Sequence, residues 1–299
     1  MYSGIIPALI TPFDSEGQVN TSGLRELVEH LLGCGMEGLY VCGSTGEGLL
    51  LTEKERRLVA ETVVKQVAGR VPVIAHVGAV ATEVAQRLAR HAREAGADAV
   101  ASIPPFYYGV GQDGIEAHYR RISLAAGLPL YIYNIPDATQ VRITAALTHK
   151  LFEQGAIQGI KYTSYDMLTL RDIVETCGPQ LNVFSGPDEM LLPFLVMGVH
   201  GGIGTTYNCM PRLFAALYAA WRAGDLARAQ SLQFQIDRII LVIARYGVIP
   251  ATKVAMRLQG LDCGGPRAPL VPLTDEQVAR LKDELQTVGF FEWTGDLAR

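Results

Sequence analysis

The sequence predicts an α/β protein: a (β/α)8 barrel of eight parallel strands followed by a C-terminal helical extension. Three observations carry this. Eight short apolar, β-branched runs recur along the chain, a longer amphipathic stretch follows each, and beyond the eighth the pattern turns wholly helical. Continuous apolar strands alternating with amphipathic helices make a parallel sheet covered on both faces. A doubly wound sheet more often uses fewer strands and carries a nucleotide-binding glycine turn near its start, so the count of eight favours a closed barrel.

The strand runs are, in order, "GIIPALI", "GLYVCG", "PVIAHVG", "DAVASIP", "LPLYIYN", "IQGIKYT", "LNVFSG" and "VHGGIGTT". Helical patterns with polar starts lie between them, among them Thr21 to Leu32, Thr52 to Val67 and Thr82 to Ala95, and Ala-Gly pairs close several. This assigns residues 1–223 to the barrel and 224–299 to the extension. After the eighth strand the helical patterns run over Leu213 to Ala223, Leu226 to Tyr246 and Glu276 to Val288. The Gly- and Pro-rich segment Gly260 to Thr274 reads as a surface loop, with Thr274 capping the last helix.

The chain has 299 residues, 49% hydrophobic and 19% charged, enough to bury a large core without disulfides. A net charge of -4 without a dense Lys/Arg face argues against nucleic acid as partner. No uninterrupted apolar stretch approaches the roughly 20 residues of a membrane span. The N-terminus lacks the basic start, apolar run and small-residue cleavage site of an export signal. Five scattered cysteines without Cys-x-x-Cys spacing fit reduced thiols in a cytoplasm.

Active sites of such barrels lie at the carboxyl ends of the strands. There the sequence places "GSTGE" (43–47), "YN" (133–134), "GIKYT" (159–163), "GPDE" (186–189) and "GTTYN" (204–208). Lys161 interrupts an apolar strand; either it is ion-paired or snorkels, or desolvation lowers its pKa and frees a neutral amine to attack a ketone. Ser44 and Thr45 offer two hydroxyls, with backbone N–H groups, to a carboxylate; a capped turn would look alike. Together they suggest a 2-oxo acid with its carboxylate on Ser44 and Thr45 and its ketone at Lys161. Tyr133 either anchors a carbonyl or relays protons during Schiff-base chemistry, and its place beside Lys161 favours the relay.

Other signals point away from cofactors. Two G-x-G-x-x-G matches, at Gly33 and Gly109, fail because the first runs from helix into strand and the second is separated from its strand by "PPFYY". There is no Walker lysine motif. The six histidines stand singly, and His76 reads as a hydrogen-bonded core residue. The Asp188-Glu189 pair is a conceivable divalent-ion site, but an amine that activates the ketone makes a metal unnecessary.

"GSTGE", "YNIP" and "GIKYT", in this order and at these strand ends, resemble the superfamily of dihydrodipicolinate synthase and N-acetylneuraminate lyase, class I aldolases. The resemblance covers nearly the whole chain and implies a TIM barrel, Schiff-base chemistry on pyruvate and, as is usual there, a homotetramer. The synthases carry an arginine shortly after "YN-P", where this chain has Asp137 and Ala138. "GIKYT", "GPDE" and "GTTYN" are instead similar to the sialic-acid lyase patterns, which implies sugar-binding roles for Thr163, Gly186, Asp188, Glu189 and Thr205. Lyases more often have serine at the last, and threonine keeps the hydroxyl. Asp137 and Gln140 depart from the small residues usual after "YNIP". The resemblance also implies that Tyr107, or its neighbour Tyr108, reaches across a subunit interface toward the site; its place directly after "PPF" favours Tyr107.

The expected function is reversible cleavage of N-acetylneuraminate or a related sugar 2-oxo acid to pyruvate and an N-acetylhexosamine-type aldehyde. Alternatives are an aldolase or dehydratase for 2-keto-3-deoxy sugar acids, a dihydrodipicolinate synthase-like protein, or a catalytically silent metabolite-binding barrel.

Overall fold

The computed structural model describes residues 1–294, so residues 295–299 of the predicted extension lie outside the described residues. The strands are β1 (Gly4–Pro7), β2 (Leu39–Val41), β3 (Val73–His76), β4 (Ala99–Ser102), β5 (Leu130–Asn134), β6 (Gly159–Tyr162), β7 (Asn182–Ser185) and β8 (Gly201–Gly204). Each falls inside one of the eight predicted runs. Their order is β1-β8-β7-β6-β5-β4-β3-β2, parallel throughout. A parallel bridge between Ala8 and Tyr40, with the Leu9 N–H donating to the Tyr40 carbonyl at 2.8 Å, joins the two ends and closes the barrel.

Strand alternation divides the core into two shells. Ile6, Tyr40, Ile74, Ala101, Tyr131 and Phe184 pack inside the barrel. Their neighbours Ile5, Val41, Val73, Val100, Ile132 and Val183 face outward, against the helices.

Those helices are α1 (Thr21–Gly33), α2 (Glu53–Val67), α3 (Thr82–Ala95), α4 (Gly111–Ala126), the single turn α5 (Pro136–Thr139), α6 (Ala145–Glu153), α7 (Met167–Cys177), α8 (Leu191–Val196) and α9 (Pro211–Arg222). Polar side chains cap α1, α2, α6 and α7. Asn20 accepts from the Gly23 N–H, and Thr52 forms a reciprocal capping box with Glu55. Ala68, Gly96 and Gly127 turn the chain into the left-handed region at the ends of α2, α3 and α4.

Beyond the barrel run α10 (Leu226–Arg245), α11 (Val248–Leu258), α12 (Asp275–Thr287) and α13 (Phe290–Thr294). The sequence reading passed over α11, which contains Pro250. That proline sits in the first turn, where its missing N–H breaks no helical bond. No single described helix is long and apolar enough to cross a membrane; α10 and α11 pass that test together only across a 113° bend. All five cysteines are free.

Candidate active site

Strand periodicity places the central pair. On β6, Ile160 and Tyr162 pack in the outer shell, so Lys161 between them faces the barrel interior, where it is 4% exposed. Tyr133 is its partner in register on β5 and packs in the inner shell. The Lys161 Nζ lies 4.3 Å from the Tyr133 ring centre and 4.9 Å from that of Tyr40. It forms no ion pair among the described residues, so the ion-paired alternative is not what the geometry shows. The amine is held between two aromatic rings and left without a hydrogen-bond partner of its own.

The turn after β2 supplies the next groups. Cys42 and Glu47, which flank Gly43–Gly46, both have positive φ (59° and 56°), a strained conformation for side-chain-bearing residues. Gly48 is required by space, because a Cβ there would lie 1.8 Å from the Cys42 carbonyl oxygen. The turn holds Ser44 with its hydroxyl 3.4 Å from that of Tyr133, and Thr45 with its hydroxyl 2.6 Å from that of Thr205 at the end of β8. Four strand ends thus meet through hydroxyls and one amine.

A cavity of about 570 Å³ adjoins this cluster, and Thr163, Gly186, Asp188, Glu189 and Thr205 all line it. Gly186 packs flush against Thr163: a Cβ would sit 1.8 Å from the threonine hydroxyl oxygen. The hydroxyl of Thr163 is buried without a protein partner. Asp188 accepts from the Thr206 N–H at 2.7 Å and from the Thr206 hydroxyl at 2.6 Å, which fixes its carboxyl. Burial pushes that carboxyl up to about 6, against the opposing effect of the Thr206 bonds. Glu189 accepts from the Tyr165 hydroxyl, whose pKa rises to about 12 through that bond and partial burial.

Tyr107 is not brought to these groups within the chain. It follows β4 in the loop before α4, 74% exposed, edge-on against Tyr108, which is 70% exposed. Phe106, just before, turns inward onto the inner shell instead.

Sequence reasoning missed several contributors. Tyr40 flanks Tyr133 with an edge-on ring contact, and so does His76, which the sequence had already singled out. His76 is a buried core histidine, as expected: its Nδ1 is 3.1 Å from the Cys42 carbonyl, and burial pulls it down to about 3. Arg56 of α2 is buried and donates to the carbonyls of His76 and Gly78 at 2.7 and 2.9 Å. Glu47 serves as an anchor for the extension: it pairs with Lys253 of α11 at 2.8 Å, both side chains buried, and accepts the Arg267 N–H at 2.6 Å. A lysine inside the apolar stretch Val248–Leu258 was the available signal. Tyr165 had none, since one tyrosine in a loop carries no periodicity.

Fold and mouth define a class. An eight-stranded barrel presenting an unpaired buried amine beside a phenol and a set of hydroxyls is the framework of a Schiff-base aldolase. Comparison with known proteins narrows this: a family model described as the dihydrodipicolinate synthetase family matches residues 1–288. The N-acetylneuraminate lyase of Rhizobium meliloti is 38% identical over 285 residues, 95% of each chain. Dihydrodipicolinate synthase from Aquifex aeolicus superposes with a TM-score of 0.92 at 33% identity, over 98% of this chain and 99% of that one. A sialic acid aldolase from Ruminococcus gnavus, a catalytic lysine mutant, gives 0.93 at 32% identity, over 96% and 95%. The chain belongs to the dihydrodipicolinate synthetase family, and it is an enzyme, a pyruvate-dependent carbon–carbon lyase of the class I aldolase type.

Proposed function

We propose that this enzyme cleaves N-acetylneuraminate, or a closely related sugar 2-oxo acid, reversibly to pyruvate and an N-acetylhexosamine-type aldehyde. The observation that carries the reading is the Lys161 amine, buried, free of any carboxylate and in register with Tyr133.

In this reading the Lys161 Nζ attacks the C2 ketone, and water leaves to give an iminium. The C4 hydroxyl loses its proton, the C3–C4 bond breaks, and its electron pair passes into the iminium to form the enamine of pyruvate. Protonation at C3 and hydrolysis release pyruvate and restore the amine. Tyr133 moves protons near the reacting oxygen, with the Ser44 hydroxyl 3.4 Å away, and Ser44 and Thr45 hold the carboxylate. Thr163, Gly186, Asp188, Glu189 and Thr205 receive the polyol in the cavity they line. Acidic acceptors suit a hydroxyl-rich sugar and repel an anionic second substrate. Asp137 and Ala138, in the stretch where synthases carry their arginine, support the same choice. The five free thiols suit a reducing compartment, and we place the enzyme in the cytoplasm.

Pyruvate with borohydride should add a stable mass to Lys161, and a panel of sugar 2-oxo acids assayed for pyruvate release should put N-acetylneuraminate first. If a 2-keto-3-deoxy hexonate turns over and N-acetylneuraminate is inert, the specificity is wrong and the amine chemistry stands.

A further inference from the structure

Outside the cavity described above, between the ends of β5 and β6 and helices α5, α6 and α7, lies a second recess of about 710 Å³. The two spaces share three lining residues, Asp137, Ser164 and Tyr165, so they are neighbours across one wall. Tyr165 is the substantial part of that wall. It is 60% exposed, and its hydroxyl donates to Glu189 on the inner side. The loop that carries it is braced: the Tyr162 hydroxyl donates to the Asp166 carbonyl at 3.0 Å, and the Asp166 carboxylate caps α7 through both the N–H and the hydroxyl of Thr169.

We propose that the outer recess is a subsite for the far end of the substrate, with Tyr165 as the specificity-determining residue that the chain of the sugar must pass. The proposal rests on the aldolase reading. A short 2-oxo acid attached to Lys161 ends within the inner cavity, whereas a long one continues past Glu189 and meets the Tyr165 ring. The lining of the recess selects the chemistry of that end. Gln140, Thr144, Ser164 and Thr169 offer amide and hydroxyl groups, and Asp137, Asp166 and Asp172 outnumber Arg142. A neutral tail bearing hydroxyl or acylamino groups fits such a surface, while a terminal phosphate or carboxylate meets net like charge. The Tyr165–Glu189 bond holds Glu189 in one orientation at the junction, so that the acid reads hydroxyls at a set position along the tail.

Two substitutions test this with different geometry. Ala146→Trp, at an exposed position of α6 that lines only the outer recess, fills it without touching the inner cavity. Tyr165→Phe keeps the ring and removes the bond to Glu189. Each should raise KM for nine-carbon N-acetylneuraminate about tenfold, and by at least about fivefold more than it raises KM for six-carbon 2-keto-3-deoxygluconate. Borohydride trapping of pyruvate on Lys161 should proceed at the wild-type rate, which also reports that the variants are folded. Should Ala146→Trp fail to trap, Tyr165→Phe alone decides. Normal trapping with both substrates shifted equally, or neither shifted, overturns the subsite and leaves the catalytic reading intact. A wild type that turns over only the six-carbon acid overturns it too. Absence of the pyruvate adduct in the folded wild type removes both readings at once.

Discussion

A strand has only two faces, and at β6 that binary choice selects the chemistry. Ile160 and Tyr162 go to the outer shell and Lys161 to the interior, where Tyr133 stands beside it in register. Replacing Lys161 with Ala should abolish pyruvate trapping and cut kcat by at least about 10⁴-fold, read as pyruvate release. Tyr133→Phe should lower kcat by about 10²- to 10³-fold and still form the adduct, because the nucleophile remains and only proton transfer suffers. Asp188 provides a pH test. Its carboxyl is held at about 6 against an ordinary 3.8, so the native state binds the proton more tightly than the unfolded chain does. The stabilisation from that proton is complete below the ordinary value and is lost as pH rises through about 6. Asp188→Asn keeps an acceptor for Thr206 without the buried charge. Its melting temperature should therefore gain on that of wild type as pH goes from 4 to 8, by an amount on the order of 2–3 kcal/mol in stability. A constant difference across that range would show that Asp188 does not titrate as described.

At the scale of elements, the strained turn after β2 does two jobs from one short stretch. Ser44 and Thr45 face the mouth, and Glu47 reaches back to Lys253 of α11. The lysine also donates to the carbonyls of Thr11 and Gly265 at 3.0 and 2.9 Å, so one ammonium joins the segment after β1, the Gly-Pro loop and the extension. Burial pulls its pKa down even with Glu47 beside it. Lys253→Met should cost about 3–5 kcal/mol in urea denaturation, because Glu47 is left as a buried charge without its partner, and Glu47→Gln in the same chain should recover part of that loss. The Thr52–Glu55 capping box at the start of α2 is a smaller feature on the same turn: Thr52→Ala should cost about 1 kcal/mol.

For the molecule as a whole, the position of Tyr107 bears on assembly. A large, exposed aromatic pair standing out in the loop after β4 suits contact with a second copy. We propose a homotetramer in which Tyr107 of one subunit completes the site of another. Sedimentation should give four chains, and Tyr107→Ala should lower kcat; a fully active monomer would exclude the shared residue. The closed barrel provides the rigidity this arrangement needs, since eight strand ends are fixed relative to one another by the ladder and by the Ala8–Tyr40 bridge.

Most of the fold was legible in the residue pattern because period and punctuation are local: each apolar run became a strand, and Thr52 and Thr274 cap the helices they precede. Pro250 hid α11, since a proline looks the same in sequence whether it opens a helix or breaks one. The residue types at the strand ends likewise announced an amine, a phenol and hydroxyls close to one mouth. Other features are decided by contacts between residues far apart in the chain, to which local pattern is blind. Glu47 meets Lys253, Thr45 meets Thr205, and Tyr165 meets Glu189 only once the barrel closes. The sequence by itself therefore determined the architecture and the kind of chemistry, through periodicity and side-chain type. Only the tertiary structure decided which carboxyl is clamped, which is an anchor, and where a second recess opens beside the first, because distance and burial exist only in the folded chain.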